Sequence, residues 1–248
     1  LNKKNKYQLH IFTNFNISIK QDNIIYHEYT DCGKEFNEPW INMNYHRIEK
    51  YKYLYDKYGI DFTWIDIDTI ICANLDYIND YKCFFINHGG LMPYLNTIFT
   101  NNNDYKVMAK KYIQGNFWKI NIDIYNELMN IYSELKEKKL ELRYDIQDLF
   151  NYYIHYYLKD SDELKKRNIE ILGETVHKNC IYGESLWNKK KNTHASYASM
   201  KRLYTENGKL RSLLHDKNKE IHICSFTFRT IIQLYTNPRF ATIFKKFI

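Results

Sequence analysis

Two short runs near the start of the chain, 7–15 (YQLHIFTNF) and 23–30 (NIIYHEYT), concentrate apolar residues and are separated by polar ones. Both are rich in β-branched and aromatic residues, and the pattern predicts two strands. After Pro39-Trp40 the period changes: Ile48, Tyr51, Leu54, Tyr55 and Tyr58 recur at helical spacing, with Gly59 as the stop. A third strand is predicted over 61–71 (DFTWIDIDTII) and another over 81–90 (YKCFFINHGG), which closes on a glycine pair. Strand, strand, helix, strand is the opening of an α/β chain.

Farther along, the Asn-rich segment 100–106 reads as a surface loop. From Asn121 onward, Ile124, Leu128, Ile131, Tyr132 and Leu135 line one helical face. Segment 145–159 repeats the period with Ile146, Leu149, Phe150, Tyr153 and Tyr157. Both segments predict amphipathic helices covering a sheet. The later elements expected are a strand at 168–174 (NIEILGE), a helix at 193–204 (THASYASMKRLY) capped by Thr193, and a strand at 220–226 with Ile221 and Ile223 facing one way. With no internal repeat and no long linker, a single domain over 1–248 is expected.

Composition narrows the class. At 44% hydrophobic residues the chain can build a core and is not of the disordered type, despite its many charges. A net charge of +7 favours anionic partners such as phosphates or a membrane surface without naming one. The five cysteines, Cys32, Cys72, Cys83, Cys180 and Cys224, are odd in number and include no C-x-x-C pair, which implies reduced thiols in a cytosolic setting. No apolar run approaches the roughly 20 residues that span a bilayer. The expected location is therefore cytoplasmic, with peripheral contact at the inner face of the membrane through the aromatic and basic end 239–248 as one reading and a packed C-terminal helix as the other.

The candidate chemistry starts at Asp66 and Asp68. In a strand they share a face with Trp64, while Ile65 and Ile67 take the other. Burying two unpaired carboxylates costs several kcal/mol, so the pair is expected at the strand's carboxyl end, where open α/β sheets bind ligands. A hard divalent cation, Mn²⁺ or Mg²⁺, is the natural partner of such oxygens and can bridge them to substrate phosphates.

The segment FTWIDIDTIICANLDYI (62–78) resembles the metal-binding D-x-D segment of GT-A fold glycosyltransferases, in particular family 8-like bacterial members. Residues 114–132 are similar to the strand-then-helix that lines their acceptor side. Residues 146–151 (IQDLFN) are similar to their D-Q-D-x-L-N box, with Ile146 in place of its first Asp and Gln147, Asp148 and Asn151 matching. The resemblance implies a Rossmann-like fold with a mixed, mostly parallel central sheet flanked by helices. The donor-binding half would cover about 1–90 and the acceptor half about 91–248.

It also implies site roles. Asp68 would ligate the metal, and Asp66 would contact the metal or the ribose. His222, on a late strand, would be a third metal ligand, although the Gly and Lys-Pro-Trp that follow that His in the family are absent here; its plain alternative is a half-buried strand histidine. Thr13, Asp66, Asp68, His88 and Gly89 are the expected donor contacts. Asp148 and Gln147 would orient the sugar or act on the acceptor hydroxyl. Two carboxylates at a helix start, Asp145 and Asp148, equally suit capping.

The expected activity is transfer of a sugar from a nucleotide-sugar donor, a UDP-sugar in the first place, to a hydroxyl on a glycan or lipid-linked acceptor in bacterial surface polysaccharide synthesis. The alternative is a haloacid dehalogenase-type phosphatase with Asp66 as nucleophile, since WIDIDT fits its pattern too. A nucleic-acid partner is not expected: the basic residues are spread along the chain, and paired aspartates repel a phosphate backbone.

Overall fold

The computed structural model describes residues 7–13, 21–28, 39–66, 69–71, 74–87, 113–138, 146–172, 187–188, 193–194, 203–212, 223–225, 238 and 242. The two opening strands form where expected: β1 (Leu9–Thr13) and β2 (Ile24–Glu28) pair in parallel from Leu9↔Ile24 to Thr13↔Glu28. Helix α1 (Pro39–Tyr58) begins on proline, whose missing N–H is harmless in a first turn. It ends at Gly59, which adopts φ +68° and donates its N–H to the Tyr55 carbonyl at 2.7 Å. Ile48, Tyr51 and Leu54 are buried, as their spacing requires.

The strand expected over 61–71 is instead two short ones, β3 (Thr63–Ile65) and β4 (Thr69–Ile71), and they belong to different sheets. The first strand stops at the first carboxylate, whose oxygens are engaged by side chains rather than by a neighbouring strand.

β5 (Cys83–Asn87), β6 (Ile113–Lys119) and β7 (Ile169–Leu172) complete a four-stranded sheet in the order β3-β6-β5-β7. β6 is antiparallel to both of its neighbours and β7 is parallel to β5, so β3, β5 and β7 run one way and β6 the other. The fold is thus mixed α/β, and in this sheet two of the three pairings are antiparallel and one is parallel, against the mostly parallel sheet expected.

Both faces of the sheet are covered, which is why β5 reads as a continuous apolar run rather than an alternating one. Cys83 and Phe85 face a core shared with α1, α2 (Ile122–Glu137) and α3 (Ile146–Tyr152). Phe84 and Ile86 face the other way, into a cluster with Leu75, Ile78, Phe117 and Leu172, part of which comes from a 3-10 turn at Asp76–Asp80.

In α2 the five residues of the predicted stripe are buried, and Asn121 caps the helix by accepting the Ile124 N–H at 2.9 Å. In α3 the stripe holds through Tyr153, but Tyr157 is 51% exposed. The reason is a π-helical turn at Tyr153–Tyr157, where the Leu158 N–H reaches back to the Tyr153 carbonyl at 3.0 Å. The wider turn rotates the residues after it, so Ile154 and Leu158 enter the core in place of Tyr157. A short helix α4 (Ser161–Lys166), capped by Asp160, leads into β7.

Of the segment 193–204, where a helix is expected, both described ends lie in strands, and residues 195–202 lie outside the described residues. β8 (Trp187–Asn188) pairs antiparallel with β9 (Thr193–His194), and β10 (Leu203–Glu206) forms a hairpin with β11 (Lys209–Ser212). Asn207 and Gly208, at φ +50° and +75°, make the two-residue turn that such a hairpin needs. β12 (Ile223–Ser225), on the expected late strand, pairs antiparallel with β4. No helix among the described residues is long and apolar enough to cross a membrane. The segments 100–106 and 243–248 lie outside the described residues.

Candidate functional site

Asp66 is the first residue past the carboxyl end of β3, where the strand pattern placed it. The Trp64 indole N–H, two residues back on the same face, donates to its Oδ1 at 2.6 Å. Arg47, reaching across from α1, sets Nη2 at 3.1 Å from its Oδ2, with the two side chains 13% and 15% exposed. Burial pushes the Asp66 carboxyl above the usual aspartate range, while Arg47 and the Trp64 hydrogen bond pull it back. Trp64 is itself fixed by stacking on Trp118, with ring centroids 5.8 Å apart and planes 8° from parallel.

The second part of the site is a break in β6. Phe85 of β5 faces Trp118 and the next residue, Ile86, faces Gln114, so one step on β5 answers four on β6. The backbone of the intervening bulge needs other partners. The Gly115 carbonyl accepts from Arg47 Nη1 at 3.1 Å and from the Trp118 indole N–H at 2.9 Å. The Gly115 N–H donates to Gln147 Oε1 at 3.0 Å. A methyl group at Gly115 would meet that oxygen at 3.4 Å and Arg47 Nη1 at 3.5 Å, so the strand, α1 and α3 close to van der Waals distance there.

Asn151, one turn after Gln147, completes the join. Its Oδ1 accepts the Ile113 N–H and its Nδ2 donates to the Ile113 carbonyl, both at 2.9 Å, and Nδ2 also donates to the Gln147 carbonyl at 2.7 Å. Asp148, between them in sequence, is only 1% exposed.

The fold therefore brings together Asp66 and Gln147, the first through Arg47 and the second through Gly115. Thr13 closes β1 opposite Glu28. Asp68, His88, Gly89, Asp145 and His222 lie outside the described residues. β12, which follows His222 in sequence, sets Ser225 opposite Thr69 and Ile223 opposite Ile71, so it turns its Ser225 end to the side of β4 that adjoins the D-x-D segment. Among the described residues, no three His, Cys, Asp or Glu side chains converge to hold a metal ion.

Arg47 was not among the residues expected at the site. Its signal lies in the helical spacing: Arg47 shares a face with Tyr51, Leu54 and Tyr58, and an arginine on the buried stripe of a helix needs an acidic partner. Gly115 has no comparable signal, because nothing in QGNFWK marks where the ladder breaks.

No protein-family model matches the chain, and no curated protein matches it. The functional reading therefore rests on the geometry and on the D-x-D resemblance.

Proposed function

We propose that the chain is a metal-dependent glycosyltransferase that moves a sugar from a nucleoside-diphosphate sugar to a hydroxyl acceptor in bacterial surface glycan synthesis, in the cytoplasm or at the inner face of the membrane. The observation that carries this reading is the placement of Asp66. It is a partly exposed carboxylate at the carboxyl end of β3, in a mixed sheet whose strands β3, β5 and β7 share a direction. The sheet and its helices fit a GT-A type arrangement.

The donor set suits a hard cation: the carboxylates of Asp66 and Asp68 would hold Mn²⁺ or Mg²⁺, while the β12 register turns its Ser225 end, and not the end next to His222, toward them. When bound, the cation supplies Lewis-acid stabilisation of the departing diphosphate. Thr13, His88 and Gly89 would line the nucleotide. Gln147 supports the site from behind by fixing Gly115, and the burial of Asp148 suits a positioning role better than direct attack on an acceptor hydroxyl.

Two strands and a helix precede β3, and its neighbour β6 runs antiparallel. These features favour the transferase over a phosphatase with Asp66 as nucleophile.

The test is thermal stabilisation by UDP and by GDP, each with and without Mn²⁺, on the wild type and on Asp68→Asn. A ligand that binds only the folded state raises stability with the logarithm of its concentration over its dissociation constant. Stabilisation that needs Mn²⁺ and disappears in Asp68→Asn supports the reading and names the base. If neither nucleotide stabilises the wild type in Mn²⁺, the reading falls.

A further inference from the structure

We propose that Arg47 is the resident counterion of Asp66 and regulates access to the site: it holds the carboxylate against free divalent cations and releases it when a nucleoside diphosphate draws the guanidinium away. This rests on the transferase reading.

Three observations carry it. Arg47 Nη2 lies 3.1 Å from Asp66 Oδ2, on the carboxylate that a D-x-D site offers to a cation. A guanidinium at that distance repels any second positive ion at the same oxygen. Trp64 holds the other oxygen, Oδ1, at 2.6 Å, so the carboxylate is fixed in orientation whichever cation it faces.

The third observation is that Arg47 is tethered as well as paired. Its Nη1 donates to the Gly115 carbonyl at 3.1 Å, a contact independent of Asp66. Pivoting about that bond, Nη2 can leave the carboxylate without the side chain losing its place. The Arg47 and Asp66 side chains are 13% and 15% exposed. A planar guanidinium pairs with phosphate oxygens in the same forked geometry as with a carboxylate, which makes a diphosphate the anion suited to draw it off.

The consequence is a coupling between two ligands that runs through one side chain. Nucleotide binding frees Asp66 and so tightens cation binding, and by linkage the cation tightens nucleotide binding by the same factor. Part of any such coupling arises because a cation also touches the diphosphate directly; the part due to Arg47 is separable by mutation.

The experiment titrates Mn²⁺ alone, UDP alone and Mn²⁺ in saturating UDP against the full chain, following both heat of binding and thermal stability. It compares the wild type with Arg47→Gln, which removes the charge but keeps an N–H donor, and with Arg47→Lys, which keeps the charge. Arg47→Gln is expected to bind Mn²⁺ alone about tenfold or more tighter than the wild type, with the enhancement by UDP reduced by a similar factor. Arg47→Lys is expected to remain close to the wild type in Mn²⁺ alone. A purely structural role for Arg47 would weaken Mn²⁺ binding in Arg47→Gln or leave it unchanged, and either result overturns the proposal.

The wild type alone also decides if Arg47→Gln does not fold: a Mn²⁺ affinity that is equal with and without UDP overturns the proposal. Failure of Mn²⁺ and UDP to bind any of the three proteins would remove the transferase reading and this inference together. Normal wild-type binding with no gain in Arg47→Gln would remove this inference alone.

Discussion

Asn151 grips Ile113 by both of its backbone groups, accepting the N–H and donating to the carbonyl at 2.9 Å each. A side-chain amide thus does for the first residue of β6 what a neighbouring strand does for Phe117, Trp118 and Lys119. Both partners are buried, so removing the amide leaves two backbone groups without water or partner. Asn151→Ala is expected to lose about 2–4 kcal/mol, and Asn151→Asp more, because a carboxylate cannot donate to the Ile113 carbonyl. Urea unfolding measures both; a midpoint within error of the wild type for Asn151→Ala would show that β6 does not depend on this grip.

The His10 and His27 rings share a hydrogen bond of 2.9 Å between Nδ1 and Nε2, within an aromatic cluster that includes Phe12, Tyr53, Tyr58 and Phe62. Burial holds both imidazoles below their usual value of 6.5; His27 is lowered further by His10 and then Lys57, and His10 by Lys57. The unfolded chain therefore binds protons that the folded chain refuses. This contribution to stability is complete above the usual value and is lost as the pH falls through the lowered folded values. Thermal unfolding of the wild type is expected to decline from about pH 7 to pH 5 more steeply than that of His27→Phe, which keeps the ring stack without the titrating group. Parallel slopes for the two proteins would refute this.

Gly59 and Gly115 separate two reasons for a glycine. Gly59 has a φ of +68° and open space around its missing side chain, so Gly59→Ala meets backbone strain alone and is expected to lose about 1 kcal/mol. At Gly115 a methyl reaches ordinary contact distance from Gln147 and Arg47, so Gly115→Ala is expected to cost less than about 0.5 kcal/mol, while the branched Gly115→Val is expected to cost about 1–3 kcal/mol by pushing them apart. Melting temperatures of the three variants should fall in that order of cost.

Cys83 is fully buried in the sheet, and burial pushes its thiol up to about 11. Alkylation at about pH 8 should therefore leave Cys83 unmodified in the folded protein and modify it only at the rate of unfolding. Peptide mapping after a timed pulse of iodoacetamide measures this, and rapid labelling in native buffer would show that the sheet opens locally.

The elements whose apolar period is long and unbroken are legible in the sequence. In α2 the five periodic residues and the five buried ones coincide. Asp66 is legible as the end of β3, because a carboxylate cannot continue a doubly covered strand. Short-range patterns fail where a partner from elsewhere in the chain decides the outcome. The π turn displaces Tyr157 and admits Leu158, although either residue fits the core by type. Residues 203–212 form a hairpin because Asn207-Gly208 supplies its two-residue turn, a signal that lies just beyond the segment expected as a helix. Of the box at 146–151, Gln147 and Asn151 spend their amides on the backbone of β6, a use that residue type alone does not distinguish from substrate binding.

The bulge in β6 gives the strand more length than its pairing with β5 uses. That slack is where Gly115 meets α1 and α3. A β6 without Gly115 and Asn116 would keep its three pairs with β3, yet Arg47 and Gln147 would lose the backbone atoms they hold. The length of this strand is thus a requirement of the site rather than of the sheet, and a deletion there should separate a folded protein from a working one.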